Sequence, residues 1–146
     1  MIVVVENMKI NLITVGKQEA LFAEAVHEFT KRIGRYIDFG VIETTDEKLM
    51  QVLEKHERVF ILDEKGKELS TMEFSDFLQK QLNIGGKNMC FVIGGAYGFN
   101  DEVKEKTDLI ISLSKLTFPH QLARVIFLEQ LYRAFTILNN EKYHHN

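Results

Sequence analysis

Apolar positions along this chain recur in two alternating periods. Lys9–Val15 sets Ile10, Leu12 and Val15 in a β-favouring context and stops at Gly16-Lys17, which predicts a strand. From Glu19 to Ile33, Leu21, Phe22, Ala25, Val26, Phe29 and Ile33 return at helical spacing. Gly34 is expected to close that helix where glycine commonly ends one. Tyr36–Glu43 reads as a second strand, Asp46–His56 as a short helix, Arg58–Leu62 as a third strand and Asp63–Lys67 as a turn. Ser70 or Thr71 then caps a helix running to about Leu82, with Glu73 or Phe74 in its first turn. Asn88–Ile93 is apolar enough to be a strand buried on both faces. Asn100 or Asp101 caps a short helix, Leu109–Leu113 is the fifth strand, and Pro119–Leu138 is the last helix, its first turn tolerating the only proline.

Five alternations of strand and helix imply crossover connections, hence an α/β fold with a mostly parallel sheet and helices on both faces. No repeat or proline-rich linker divides the chain, so residues 1–146 are expected to form a single domain. Met1–Asn7 has no place in the alternation and is read as an N-terminal extension without catalytic role. The last helix shows Leu122, Val125, Ile126, Leu128, Leu131, Tyr132, Phe135 and Leu138. That apolar face is wider than one sheet requires, and a homodimer contact would use the excess.

Composition changes this picture little. At 45% apolar and 27% charged residues the chain is ordinary for a globular protein. No apolar run approaches the roughly 20 residues of a membrane span, and Met1–Val5 is too short for a signal peptide. A cytoplasmic location away from membranes is the expectation. Cys90, the single cysteine, lies in an apolar strand and reads as a small buried thiol. Charge is more informative. Residues 112–146 hold Lys115, Arg124, Arg133 and Lys142 against Glu129 and Glu141, a balance of +2, which leaves −5 on residues 1–111 of a chain whose net charge is −3. A local basic site on an acidic body suits selective RNA contact better than indiscriminate coating of nucleic acid.

The candidate chemistry lies in two loops that follow successive strands. In Phe91-Val92-Ile93-Gly94-Gly95-Ala96-Tyr97-Gly98-Phe99 the glycines permit close approach and positive φ. Their spacing matches neither the dinucleotide fingerprint nor a phosphate-binding P-loop, so this motif is equally a tight turn. In the second loop Ser112, Ser114 and Thr117 could cap a helix or meet a ligand, and Lys115 could meet an anion or water. His120 could be a surface residue, a core residue or a base, and Arg124 stands one turn further on the same helical face. Arg133 has a simple partner in Glu129 at four-residue spacing. His27, His56, His144 and His145 lack any spacing that suggests a metal site, and no serine stands in a nucleophile elbow.

In combination the motifs are more specific. Phe91-Val-Ile-Gly-Gly-Ala-Tyr-Gly98, Leu113-Ser-Lys-Leu-Thr-Phe-Pro-His120, Arg124, Glu129-Gln-Leu-Tyr-Arg-Ala-Phe135 and Tyr143-His144 resemble the RlmH family. These are SPOUT-class methyltransferases that modify N3 of a pseudouridine in large-subunit ribosomal RNA. The likeness runs from about Met8 to the C-terminus. It implies a deep C-terminal trefoil knot, which connection rules alone would argue against, and a homodimer that acts on ribosomal RNA, as part of the assembled ribosome. It implies S-adenosyl-L-methionine as methyl donor and no metal. Leu62, Gly94, Leu113, Ser114, Lys115, Leu116, Thr117 and Phe118 would then surround the donor. His120 and Arg124, with Tyr143 and His144 from a functional tail over residues 140–146, would serve the target base. Histidine or tyrosine could be the base, and Arg124 could hold phosphate or a developing oxyanion. The segment between Glu43 and Arg58 is shorter than in typical members, and His145 stands where relatives more often carry a basic residue. The alternative is a non-catalytic RNA- or ribosome-binding module retaining the fold, which need not bind the donor. A different small-molecule enzyme on a nucleotide-binding α/β domain ranks third, because no phosphate-loop motif or ribose-binding acid appears.

Overall fold

A computed structural model of the chain describes residues 7–145. The extension expected at Met1–Asn7 lies, apart from Asn7, outside the described residues. Ten elements alternate: β1 (Lys9–Val15), α1 (Ala20–Ile33), β2 (Asp38–Thr44), α2 (Leu49–Leu53), β3 (Arg58–Glu68), α3 (Thr71–Ile84), β4 (Asn88–Ile93), α4 (Asp101–Lys106), β5 (Leu109–Ser112) and α5 (His120–Leu138). The strands form one sheet in the order β2-β1-β4-β3-β5, every pairing parallel.

Strand alternation divides the interior cleanly. Ile10 and Leu12 of β1, Phe60 and Leu62 of β3, and Met89, Phe91 and Ile93 of β4 point to the face covered by α1, α3 and α5. Ile13, Val15, Val59, Ile61, Cys90 and Val92 point to the opposite face, under Leu49 and Leu53 of α2 and Val103 of α4. The first face is centred on aromatic rings: Phe91 lies 4.9 Å from Phe127 and 5.4 Å from Phe60, centroid to centroid, within the range where such pairs add to simple burial. Cys90 is fully buried in the second layer, where burial pushes its thiol up to about 12. Asn11, on the same face, accepts at Oδ1 from His56 Nε2 at 3.0 Å, and its Nδ2 donates to Gly40 O at 3.2 Å, satisfying a polar pair in a buried setting.

Side-chain caps account for the starts of α3 and α4. Ser70 Oγ accepts from Glu73 N (3.1 Å) while Glu73 Oε1 accepts from Ser70 N (2.8 Å), a reciprocal capping box at the start of α3. Asn100 Oδ1 caps α4 by accepting from Val103 N at 2.9 Å. Gly34 departs from expectation: it ends α1 in right-handed backbone, φ −58°, so its lack of a side chain is not what stops the helix.

The largest difference concerns β3. The charged run Asp63–Lys67 is not a turn that ends the strand; β3 continues to Glu68 with a bulge inside it. Leu62 and Lys67 both register on Ile111 of β5, and Glu68 pairs with Ser112, so Asp63–Gly66 is thrown out of the ladder. Gly66 is required for close approach: a Cβ there would lie 2.7 Å from backbone atoms of Ile110. Among the described residues, no helix is long and apolar enough to cross a membrane.

Candidate active site

The carboxyl ends of β3, β4 and β5 lie side by side, the place where ligands bind in open α/β sheets. The β3 bulge, the glycine loop after β4 and the segment joining β5 to α5 enclose a cavity of about 370 Å³. Leu62, Gly94, Leu113, Ser114, Leu116, Thr117 and Phe118 line it, and so does His120 at the first position of α5. Lys115 does not. It points outward and pairs with Glu68 at 3.7 Å. An exposed pair at that distance contributes little to stability.

Each loop is shaped by its own sequence. Gly94 is buried, and a Cβ on it would meet Phe99 Cζ at 3.1 Å, so glycine makes room for that ring. Gly98, at φ +69°, completes a turn in which its N–H donates to Gly95 O at 3.1 Å. In the last loop Ser112 Oγ donates to Ser114 O (2.9 Å), and Ser114 Oγ accepts from Leu116 N (3.0 Å). Thr117 donates to the Glu64 carboxylate, tying this loop to the β3 bulge.

The bulge brings in residues that sequence reasoning missed. Asp63, Glu64 and Lys65 line the cavity together with Lys104 of α4. Read as a turn, the run gave no sign that two carboxylates would face a ligand site. Apolar walls from Leu62, Ile93, Leu113 and Phe118 suit a flat heterocycle, and the carboxylates suit a cation. His120 is half-buried, and its Nδ1 is a buried nitrogen without a hydrogen-bond partner.

Arg124 shares a helical face with His120 but has a different task. It is 1% exposed, and its Nη2 donates to Val15 O (3.1 Å) and Gly16 O (3.0 Å), with Nη1 on Gln18 Oε1 at 3.3 Å. Gln121 reinforces the clamp: its Oε1 accepts from Glu19 N (3.0 Å) and its Nε2 donates to Lys17 O (2.9 Å). Burial pulls the Arg124 guanidinium below the ordinary arginine value, opposed by Glu43 and Glu19. Within this chain Arg124 secures the β1–α1 turn and does not line the cavity.

The tail likewise lies away from the cavity of its own chain. Tyr143 donates to Glu129 Oε2 at 2.8 Å, its ring sits 4.8 Å beneath the Arg133 guanidinium, and His144 Nδ1 is 3.0 Å from Arg133 Nη1. Arg133 itself binds Glu129 at 2.6 Å, an ion pair that raises it above the usual arginine value. Arg133 is thirteen residues beyond His120 on α5, about 20 Å along the helix axis. Tyr143 and His144 therefore cannot close over a base held at His120 of the same chain.

The model of the family described as predicted SPOUT methyltransferase matches residues 8–144. This chain belongs to the SPOUT methyltransferase family. Similar proteins named ribosomal RNA large subunit methyltransferase H include one from Parabacteroides distasonis, 42% identical over 94% of this chain and 99% of its own length. Another, from Geotalea daltonii, is 41% identical over 94% of this chain and all of its own. Among solved structures, a probable methylase family protein from Haemophilus influenzae shares the fold with a TM-score of 0.57 at 15% identity, covering 97% of this chain and 71% of that one. A probable methyltransferase from Bordetella pertussis gives 0.56 at 10% identity, covering 88% of this chain and 94% of that one.

Proposed function

We propose that this SPOUT methyltransferase moves the methyl group of S-adenosyl-L-methionine to N3 of a pseudouridine in large-subunit ribosomal RNA. The observation that carries the reading is the convergence of the β3 bulge, the glycine loop and the β5–α5 loop on one cavity with His120 at its edge. Relatives about 42% identical over nearly the whole chain bear the name of a ribosomal RNA methyltransferase. The donor would lie among Leu62, Gly94 and Leu113–Phe118, its adenine on the apolar walls and its sulfonium towards Asp63 and Glu64.

The chemistry asks two things of the protein. An imide N–H is a poor nucleophile until its proton leaves, so a base must take that proton. The N3 lone pair then forms the new N–C bond to the methyl while the carbon–sulfur pair leaves on sulfur, giving a neutral thioether. Sulfur, methyl and nitrogen must be in line, and such positioning can lower a barrier by several kcal/mol of the roughly 7–11 that intramolecular geometry supplies. His120 is the group with an unpartnered buried nitrogen at the cavity, which favours it as the base. Arg124 acts as a positioning residue through the β1–α1 turn.

A homodimer completes this reading. Leu122, Val125 and Ile126 remain half-buried on α5, and a second copy laid along that helix would cover them. With the two α5 helices antiparallel, the tail of one subunit reaches the cavity end of the other, which would bring Tyr143 and His144 to the target base. The family's trefoil knot belongs to the same proposal, supported by the contacts of Lys115 and Thr117 that lay the β5–α5 segment along the β3 bulge. A cytoplasmic location and a substrate presented by the assembled ribosome belong to the same proposal. The test is methyl transfer from labelled donor to ribosomes that lack the modification, with the nucleotide identified by mass spectrometry. Label in an N3-methylated pseudouridine is expected; donor binding without any transfer to RNA would favour a binding module instead.

A further inference from the structure

Tyr97 occupies the tip of the glycine loop with 97% of its surface exposed, yet it lines the cavity. Aromatic side chains are normally drawn inside by the area they bury. Among the described residues the other large apolar side chains left in the open are Leu21, Met72, Ile84 and Leu116. Leu116, 71% exposed, lines the same cavity from the β5–α5 loop. Two of the five thus gather at one mouth, each from a different loop. The backbone under Tyr97 is held by the Gly95–Gly98 turn, so the ring stands on a fixed base rather than a loose one.

Resting on the function proposed above, the chemistry calls for such a ring. N3 lies on the edge of the base that pairs in a helix, so a nucleotide cannot offer it to a donor cavity while paired and stacked. The base must leave its stack, and an aromatic face at the entry replaces the lost stacking while leaving the base edge free. An exposed ring is also tolerant of which base arrives, so it positions rather than selects. Lys65 and Lys104 stand on the same rim, where cations meet the flanking phosphates.

We propose that Tyr97 is the platform on which the unstacked target nucleobase lies during methyl transfer, with Leu116 facing it across the cavity mouth. The test compares wild type, Tyr97→Phe and Tyr97→Ala in the full chain. It measures transfer to ribosomes under subsaturating RNA, donor affinity by calorimetry and subunit assembly by light scattering. Loss of a base–aromatic stack predicts a fall in kcat/KM for RNA of about 5- to 150-fold in Tyr97→Ala. Tyr97→Phe should keep close to wild-type activity, and donor affinity and assembly should be the same in all three. Equal activity of Tyr97→Ala and wild type would overturn the proposal, and so would equal loss in Tyr97→Phe, which would assign the effect to the hydroxyl. A matching loss of donor affinity would make Tyr97 a wall of the donor site, and altered assembly would make it an interface residue; either overturns it. A wild-type protein that transfers nothing overturns the underlying function, and this proposal with it, before any variant is compared.

Discussion

Replacing Arg124 by methionine separates a structural clamp from a catalytic group. The side chain keeps much of its length but loses three donor contacts, to Val15 O, Gly16 O and Gln18 Oε1 at 3.0–3.3 Å. Two main-chain carbonyls would be left without that partner beside a side chain that is 1% exposed in the wild type. Each buried acceptor left unmet costs about 1–3 kcal/mol, whereas removing a desolvated cation returns part of that sum. A net loss of about 3 kcal/mol is expected, which for a chain of this size lowers Tm by about 6–12 °C. Thermal unfolding at matched protomer concentration reads this directly, with donor affinity measured well below the new midpoint. Loosening of Gly16–Glu19 next to the glycine loop should weaken donor binding in parallel. An unchanged Tm with intact donor binding and abolished transfer would refute the clamp and return Arg124 to the chemistry.

Other variants probe the rest of the site. Gly94→Ala puts a Cβ 3.1 Å from Phe99 Cζ, so that ring, which lines the cavity, must give by a few tenths of an ångström; donor affinity measured by calorimetry should fall about tenfold, roughly 1.4 kcal/mol, with the fold retained. His120→Ala and deletion of Tyr143–Asn146 should each abolish transfer while leaving donor binding largely intact; loss of donor binding in either would show that donor and target residues are divided wrongly. Burial, followed by hydrogen bonds to Glu141 and Glu129, raises the phenols of Tyr36 and Tyr143 above their ordinary value. Their contribution to stability is therefore complete below about pH 10, the unfolded value, and is lost as pH rises through the higher folded values. Urea midpoints should fall over that alkaline range, and the slope should flatten in Tyr36→Phe and Tyr143→Phe.

Strands buried on both faces were legible to the residue. Lys9–Val15 and Asn88–Ile93 are the observed β1 and β4, because the central strands of a covered sheet must be apolar on both faces. The carboxyl end of β3 behaved differently. Asp63–Lys67 looks like a turn by composition, but its backbone bulges and then pairs again with β5, so its charges are tolerated on an exposed rim. Two walls of the cavity coincide with the two loop motifs, since each ends a strand and parallel strands end together; the third, at Leu62, was implied only by the family resemblance. What the motifs do not encode is direction. His120 and Arg124 share a helical face, but one turn of rise carries Arg124 beneath the β1–α1 turn, where free carbonyls await a donor. The position of Tyr143 and His144 against Glu129 and Arg133 likewise depends on how the chain returns after α5, for which no local signal exists.

A crystal structure of the protein with S-adenosyl-L-methionine bound would show whether the three loops clasp the methyl donor. The donor is expected between Leu62, Gly94 and Leu113–Phe118, with its sulfonium near Asp63 and Glu64 and its methyl open towards His120. A donor seated elsewhere, or a methyl group turned away from His120 into the apolar wall, would rule out the proposed clasp.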